Sequence, residues 1–453
     1  MSYATFLERR AKLGGFDGFD PDDLPDHLFG FQADIVRWAC QKGRAAIFAD
    51  CGLGKTPMQL AWADQVYRQT GRPVLVLTPL AVAAQTVAEA AKFGVDAVVS
   101  RDGSLPAPVT VTNYEQLHHF TPTTVGGVVC DESSAIKSFD GQRRAEVTDF
   151  MRLVRFRLLA TATAAPNDYV ELGTSSEALG QLGYMDMLGR FFTNSQRTSR
   201  AVRNWTGSEW RFKGHAEQPF WRWVSSWARA CRRPSDLGYS DDGFALPDLI
   251  EREHVVEALT AREGALFDVP AVGLREEREA HRRTVAERCD RAGELVADAD
   301  SAVVWCQLND ESSRLAATID GAVEVKGSDS VEAKEESLRA FANGEIRVLV
   351  TKPTIGGYGL NWQHCNRMVL FPSHSYEQYY QAVRRCWRFG QQRPVVVDLV
   401  TTTGGLGMLA NLRRKAQAAD EMFAALVEHM REAQALDTET NFDNRVEVPT
   451  WAA

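Results

Sequence analysis

The sequence predicts an α/β protein of two parallel-sheet lobes, and three observations carry that prediction. A first series of short apolar runs, AAIFAD, PVLVLTPL, VTVTNYEQL, GGVVCDES and FRLLATAT, alternates with helix-length amphipathic stretches such as PMQLAWADQVYRQTG. A second series returns at SAVVWCQL, AVEVKG, IRVLVTKP, RMVLF and PVVVDLV. Between the two lie an aromatic, arginine-rich region and a charged helical stretch at residues 274–295. Short β-like runs separated by helical segments imply crossover connections, which put helices on both faces of a parallel sheet.

Five units follow from this pattern: a first lobe at residues 1–180, a basic, tryptophan-rich, mainly helical insertion at 181–246, a helical connection at 247–299, a second lobe at 300–407, and a C-terminal helix and tail at 408–453. A chain of 453 residues is long enough for each lobe to bury its own core. An apolar share of 44% with 25% charged residues is that of an ordinary globular protein. No apolar run reaches the roughly 18 residues of a membrane span. The opening MSYATFLERRAKLGG carries charge where a secretory leader has its apolar core, so a cytoplasmic location is expected. Eight cysteines fall singly, none as CxxC, which predicts reduced, mostly buried thiols in place of a zinc site or disulfide framework.

The net charge of −9 is unevenly spread. Between residues 190 and 233, ten Lys/Arg face two acids, Glu209 and Glu217, and five of the eleven tryptophans fall in the same stretch. Arginines there can neutralise backbone phosphates and aromatic faces can stack on bases. Trp221, Trp223 and Trp227 fit the core of a small helical subdomain better than a stacking surface, which leaves the arginines, Arg232 and Arg233 among them, as the better candidates for nucleic-acid contact.

AAIFADCGLGKTPMQL sets a β-like run, a glycine-bearing turn and a helix start in succession. Backbone N–H groups in such a turn, reinforced by the helix N-terminus, can surround phosphate oxygens. Gly52 and Gly54 permit close backbone approach, Lys55 would reach the β- and γ-phosphates, and the Thr56 hydroxyl would ligate Mg²⁺. The usual first glycine of this P-loop pattern is Ala49 here. GGVVCDE reads as a buried strand ending in two acids: Asp131 suits the Mg²⁺ shell, and Glu132 can polarise a water for attack on the γ-phosphate. Together the two elements point to hydrolysis of ATP or GTP. QAVRRCWRFGQ spaces Arg385 and Arg388 three apart on one expected helix, from which they could complete the site as arginine fingers from the facing lobe.

With GGYGLNWQ added, the set resembles superfamily 2 helicases of the Swi/Snf type, and among these the compact DEAD/DEAH-like helicases of phages and prophages. The resemblance covers nearly the whole chain and implies two RecA-like lobes closing on one ATP. Gln32 in LFGFQADIVRWA would read the adenine. Gly357, Gly359 and Gln381 would complete the nucleotide site. Thr78, Pro79, Thr112, Asn113 and Tyr114 match the strand-tracking elements, and Thr161 and Thr163 of LLATATAAP match the TGTP-type coupling element. DESS places Ser134 where the family often has histidine, the usual serine–threonine pair before Gly356 is Lys352–Pro353, so that Lys352 would take over the phosphate contact, and TATAAP has an extra alanine. The implied activity is ATP-dependent translocation on DNA, duplex favoured and single strand possible, in a bacterial or phage-infected host cytoplasm. An RNA helicase and an ATP-gated scaffold that binds nucleic acid without stepping are the alternatives.

Overall fold

A computed structural model of the chain describes residues 17–136, 141–165, 168–194, 210–257, 274–356 and 361–439. Trp205, Gly357 and Gly359 lie outside the described residues.

Six strands of the first half, β1 (Arg44–Ala49), β2 (Val74–Thr78), β3 (Ala97–Val99), β4 (Val109–Asn113), β5 (Gly127–Asp131) and β6 (Phe156–Thr161), form a parallel sheet in the order β3-β4-β2-β5-β6-β1. Their side chains alternate between two cores, as a period of two demands. Ala46, Phe48, Leu75, Leu77, Val128 and Cys130 face one. Ala45, Ile47, Val74, Val76 and Val129 face the other. Burial on both faces is why these strands read as continuous apolar runs. The helices Gly30–Lys42, Lys55–Thr70 and Ala83–Lys92 cover the second face with Phe31, Ile35, Met58, Trp62, Val66 and Ala90.

The segment expected as an insertion is built into this lobe. A short helix, Tyr184–Phe191, leads into a small antiparallel strand pair, β7 (Phe192–Asn194) and β8 (Trp210–Phe212). A helix, Glu217–Ser225, then leads into β9 (Ala228–Cys231), which pairs with β1 and becomes the seventh strand of the sheet. Trp221, Trp223 and Trp227 are at most 5% exposed and pack in the lobe's own core, so they are core residues and not a stacking surface.

The second sheet is also all parallel, in the order β10-β15-β14-β11-β13-β12, with β10 (Leu249–Val256), β11 (Ala302–Trp305), β12 (Ala322–Glu324), β13 (Val348–Thr351), β14 (Arg367–Leu370) and β15 (Val395–Thr402). The stretch expected as a helical connection thus contributes an edge strand, β10, before its helices Leu274–Arg283 and Val285–Val296. LIEREHVV places charges along that edge, which suits a strand with one open side. A single helix, Leu406–Glu439, then spans the two lobes. Leu409 and Leu412 pack in the second core, while Met422, Phe423, Leu426 and Val427 pack in the first. At 1.5 Å per residue its 34 residues reach about 50 Å, enough to brace both.

All eight cysteines are free, seven of them buried and Cys51 half-buried. Among the described residues no helix is long and apolar enough to cross a membrane.

Candidate active site

In a parallel sheet every strand delivers its following loop to the same edge, so the loops after β1, β5 and β6 converge. The loop after β1 is the glycine-bearing turn. Gly52 and Gly54 hold φ values of +91° and +76°, a region side chains other than glycine rarely enter. A methyl group at position 54 would also lie 2.3 Å from Gln32 Nε2. That amide is buried and bonded at both ends: Gln32 Nε2 donates to the Leu53 carbonyl at 2.9 Å, and the Phe29 amide donates to Gln32 Oε1 at 3.0 Å. Gln32 therefore ties its helix to the phosphate-type loop. Around it stand Phe29, Phe31, Tyr239, Phe244 and, from the second lobe, Phe389, with Phe244 and Phe389 stacked at 4.9 Å.

Lys55 opens the following helix, and its Nζ rests on the Ala49 carbonyl at 3.0 Å and the Asp50 carbonyl at 3.4 Å. Asp131 ends β5, where Gln59, one helical turn after Lys55, donates to its Oδ1 at 2.7 Å. Burial first, and Glu132 beside it second, raise the Asp131 carboxyl to about 6. Glu132 has a φ of +49°, the one non-glycine residue at positive φ among the described residues. Such backbone strain costs roughly 1–3 kcal/mol and persists where surroundings hold it in place. Its Oε2 accepts from Thr161 Oγ1 at 3.4 Å, and Thr161 also accepts from the Thr163 amide at 3.1 Å, so both coupling-element hydroxyl residues stand behind the acid.

The second lobe enters the same cleft. Cys51, Gly52, Gly54, Lys55, Thr56, Asp131, Glu132, Arg385 and Arg388 all line one cavity of about 140 Å³. Arg385 and Arg388 do not sit on a helix as expected. The helix Tyr376–Val383 ends first, and the chain continues in tight turns, with the Arg385 amide bonded to the Ala382 carbonyl at 3.2 Å and the Cys386 amide to that of Val383 at 3.2 Å. Gln381 links the two sides: its Nε2 donates to Glu132 Oε2 at 3.4 Å, and its Oε1 accepts from Arg385 at 3.2 Å. Burial, and then the neighbouring Arg385, lower the Arg388 guanidinium to about 10, and its buried Nε has no hydrogen-bond partner. Two guanidinium groups side by side, one of them under-satisfied, make a site for an anion.

The remaining expected residues sit elsewhere. Thr78 and Thr112 are fully buried at the ends of β2 and β4. Asn113 caps the turn that follows by accepting from the Gln116 amide at 3.1 Å, Pro79 caps the short turn after β2, and the Tyr114 hydroxyl donates to the Asp131 carbonyl at 2.7 Å. Lys352, just past β13, donates to Asn309 Oδ1 at 2.7 Å. Arg232 is held on the long C-terminal helix by Asp420 at 2.8 Å and lies over the Phe423 ring at 4.7 Å, while Arg233 is exposed beside Asp236. Sequence reasoning missed Gln59, Asp50, Tyr380, Arg384 and Phe389. Gln59 could have been found by its i+4 spacing from Lys55, and Arg384 by the paired arginines in QAVRRC; nothing in the sequence joins Asp50 to a distant arginine.

Two parallel-sheet lobes share a cleft lined by the glycine-turn lysine, the acid pair and two facing arginines, the arrangement that the resemblance to superfamily 2 helicases implies. Residues 287–390, most of the second lobe, match the helicase conserved C-terminal domain family. Over 86% of its length the chain is 25% identical to protein p41 of Acyrthosiphon pisum secondary endosymbiont phage 1, covering 96% of it. A shorter stretch, 25% of the chain, is 31% identical to 10% of the bifunctional helicase and thymine dioxygenase JBP2 of Leishmania tarentolae. Among solved structures, the SWI2/SNF2 ATPase core of Sulfolobus solfataricus in complex with dsDNA is 17% identical, with 85% of this chain and 90% of that one aligned at a TM-score of 0.43. The family match and the phage relative agree with the resemblance carried by the motifs.

Proposed function

We propose that the protein is a Swi/Snf-type, ATP-dependent DNA translocase or helicase, with duplex DNA as its favoured track, working in a bacterial or phage-infected cytoplasm. One observation carries the reading: Arg385 and Arg388 of one lobe line the same cleft as Lys55, Asp131 and Glu132 of the other. In this reading the Lys55 amine exchanges its two loop carbonyls for phosphate oxygens. Thr56 and Asp131 would hold Mg²⁺, and a cation there fits a buried carboxyl that burial and Glu132 otherwise push toward its neutral form. When bound, Mg²⁺ supplies charge neutralisation for the phosphates. Glu132 orients the attacking water and accepts its proton, while Arg385 and Arg388 stabilise charge on the departing phosphoryl group, a role typically worth ~10³–10⁵ in rate. Loss of the γ-phosphate removes the anion that the second lobe's arginines grip, so the lobes loosen and can step along a strand.

The test is ATP turnover with duplex DNA, single-stranded DNA and RNA in parallel. Strong stimulation by duplex, followed by triplex displacement, supports translocation on DNA. Stimulation by RNA alone supports an RNA helicase, and ATP turnover indifferent to all three supports a nucleic-acid-binding scaffold that does not step.

A further inference from the structure

Behind the phosphate loop, a buried ion pair joins the lobes. Asp50 follows β1 directly and is 7% exposed, and Arg384 is 6% exposed. Arg384 Nη2 lies 2.5 Å from Asp50 Oδ2. The other carboxylate oxygen of Asp50 accepts from the Tyr380 hydroxyl and, at 2.6 Å, from the Cys51 amide. The Arg384 guanidinium lies near two rings, Tyr380 at 5.1 Å and Trp387 at 4.3 Å. Trp387 is itself anchored, its Nε1 donating to the Pro247 carbonyl at 2.7 Å in the segment that joins the lobes.

Three facts separate this pair from a surface ion pair. The two charges come from different lobes and both are buried where those lobes meet, so either one left there without its partner would be a desolvated, unpaired charge. Arg384 immediately precedes Arg385, and Tyr380 immediately precedes Gln381, the residue that reaches Glu132. Lys55 rests on the backbone carbonyl of the same Asp50. One residue thus meets both the phosphate-gripping lysine and the turn that carries the arginines.

We infer that Asp50, Arg384 and Tyr380 form a closing clamp that sets Arg385 and Arg388 in register against the bound triphosphate. None of the three reaches into the phosphate cleft, so they are positioning residues. The inference rests on the ATP-hydrolysis reading for its kinetic consequence, though not for its conformational one.

The experiment uses the full chain with Asp50→Asn, Arg384→Gln and Arg384→Lys. Donor and acceptor dyes at exposed Arg101 and Glu332, one on each lobe, report lobe separation without nucleotide, alongside affinity for a fluorescent ATP analogue and steady-state turnover. Asp50→Asn and Arg384→Gln should lengthen and broaden the lobe distance and lower kcat about 10–100-fold, with analogue affinity held within about threefold. Arg384→Lys, which keeps the charge and loses the planar stacking, should fall between Arg384→Gln and the parent. Parental distance and parental kcat in both charge-removing variants overturn the clamp, as does a loss of analogue affinity as large as the loss of kcat. Should Arg384→Gln fail to fold, near-isosteric Asp50→Asn removes the same pair and decides the matter. A parent without ATP turnover sinks the hydrolysis reading, and the lobe distances then judge the clamp by themselves.

Discussion

Gln381 reaches across the lobe boundary to Glu132, its Nε2 3.4 Å from Oε2, while its own carbonyl and Oε1 hold Arg385 at 3.2 Å. The acid that would activate water and the arginine that would meet the phosphate are thereby joined through one side chain.

Glu132→Gln keeps the shape of the acid and removes its basicity. ATP turnover should fall about 10²–10⁴-fold while a fluorescent ATP analogue still binds. A variant that hydrolyses at the parental rate would overturn the assignment of Glu132.

Lys55→Ala and Arg388→Ala should fail differently. Losing Lys55 would remove the proposed phosphate contact of the glycine turn, so analogue affinity should drop along with turnover. Losing Arg388 should leave affinity near the parental value and lower kcat by about 10³. Equilibrium titration beside steady-state kinetics separates the two.

Gly54→Ala places a methyl group at positive φ and 2.3 Å from Gln32 Nε2. The strain and the clash should cost about 1–3 kcal/mol, read as a lower denaturant midpoint. Adding Gln32→Ala removes the clash but not the φ strain, so the double variant should recover only part of what the sum of the two single losses predicts.

Leu426→Ala probes the helix that spans the lobes. Leu426 is fully buried in the core of the first lobe although its helix begins in the second. The substitution should cost about 2–5 kcal/mol by the cavity it leaves. Hydrogen exchange should quicken in the helix beyond residue 420 before it does in β15. Uniform protection would mean that the helix end is not held by this contact.

Much of the fold was legible because burial on both sheet faces forces continuous apolar runs, and those runs stand plainly in AAIFAD, VLVLT, GVVCD and VVVDLV. The segments 181–246 and 247–299 were harder. A four-residue strand such as β9, ARAC, carries no periodicity that sets it apart from a helix, and its place beside β1 comes from pairing with residues 182 positions earlier, as in Ala46 with Ala228. Gly52, Gly54, Lys55, Asp131 and Glu132 could be picked out as candidates because phosphate chemistry calls for those residue types within one short turn and one adjacent acid pair. Asp50 could not.

By itself the sequence determined the two parallel sheets, the phosphate-type loop and the acid pair, since local backbone needs and apolar alternation are written in adjacent residues. The spacing in QAVRRCWRFGQ only raised Arg385 and Arg388 as candidates to face Lys55; the tertiary structure placed them in its cleft, and it alone decided that Arg232 packs against the C-terminal helix and that Asp50 meets Arg384. Contacts between residues hundreds of positions apart depend on how two separately packed lobes dock, and no local pattern encodes that docking.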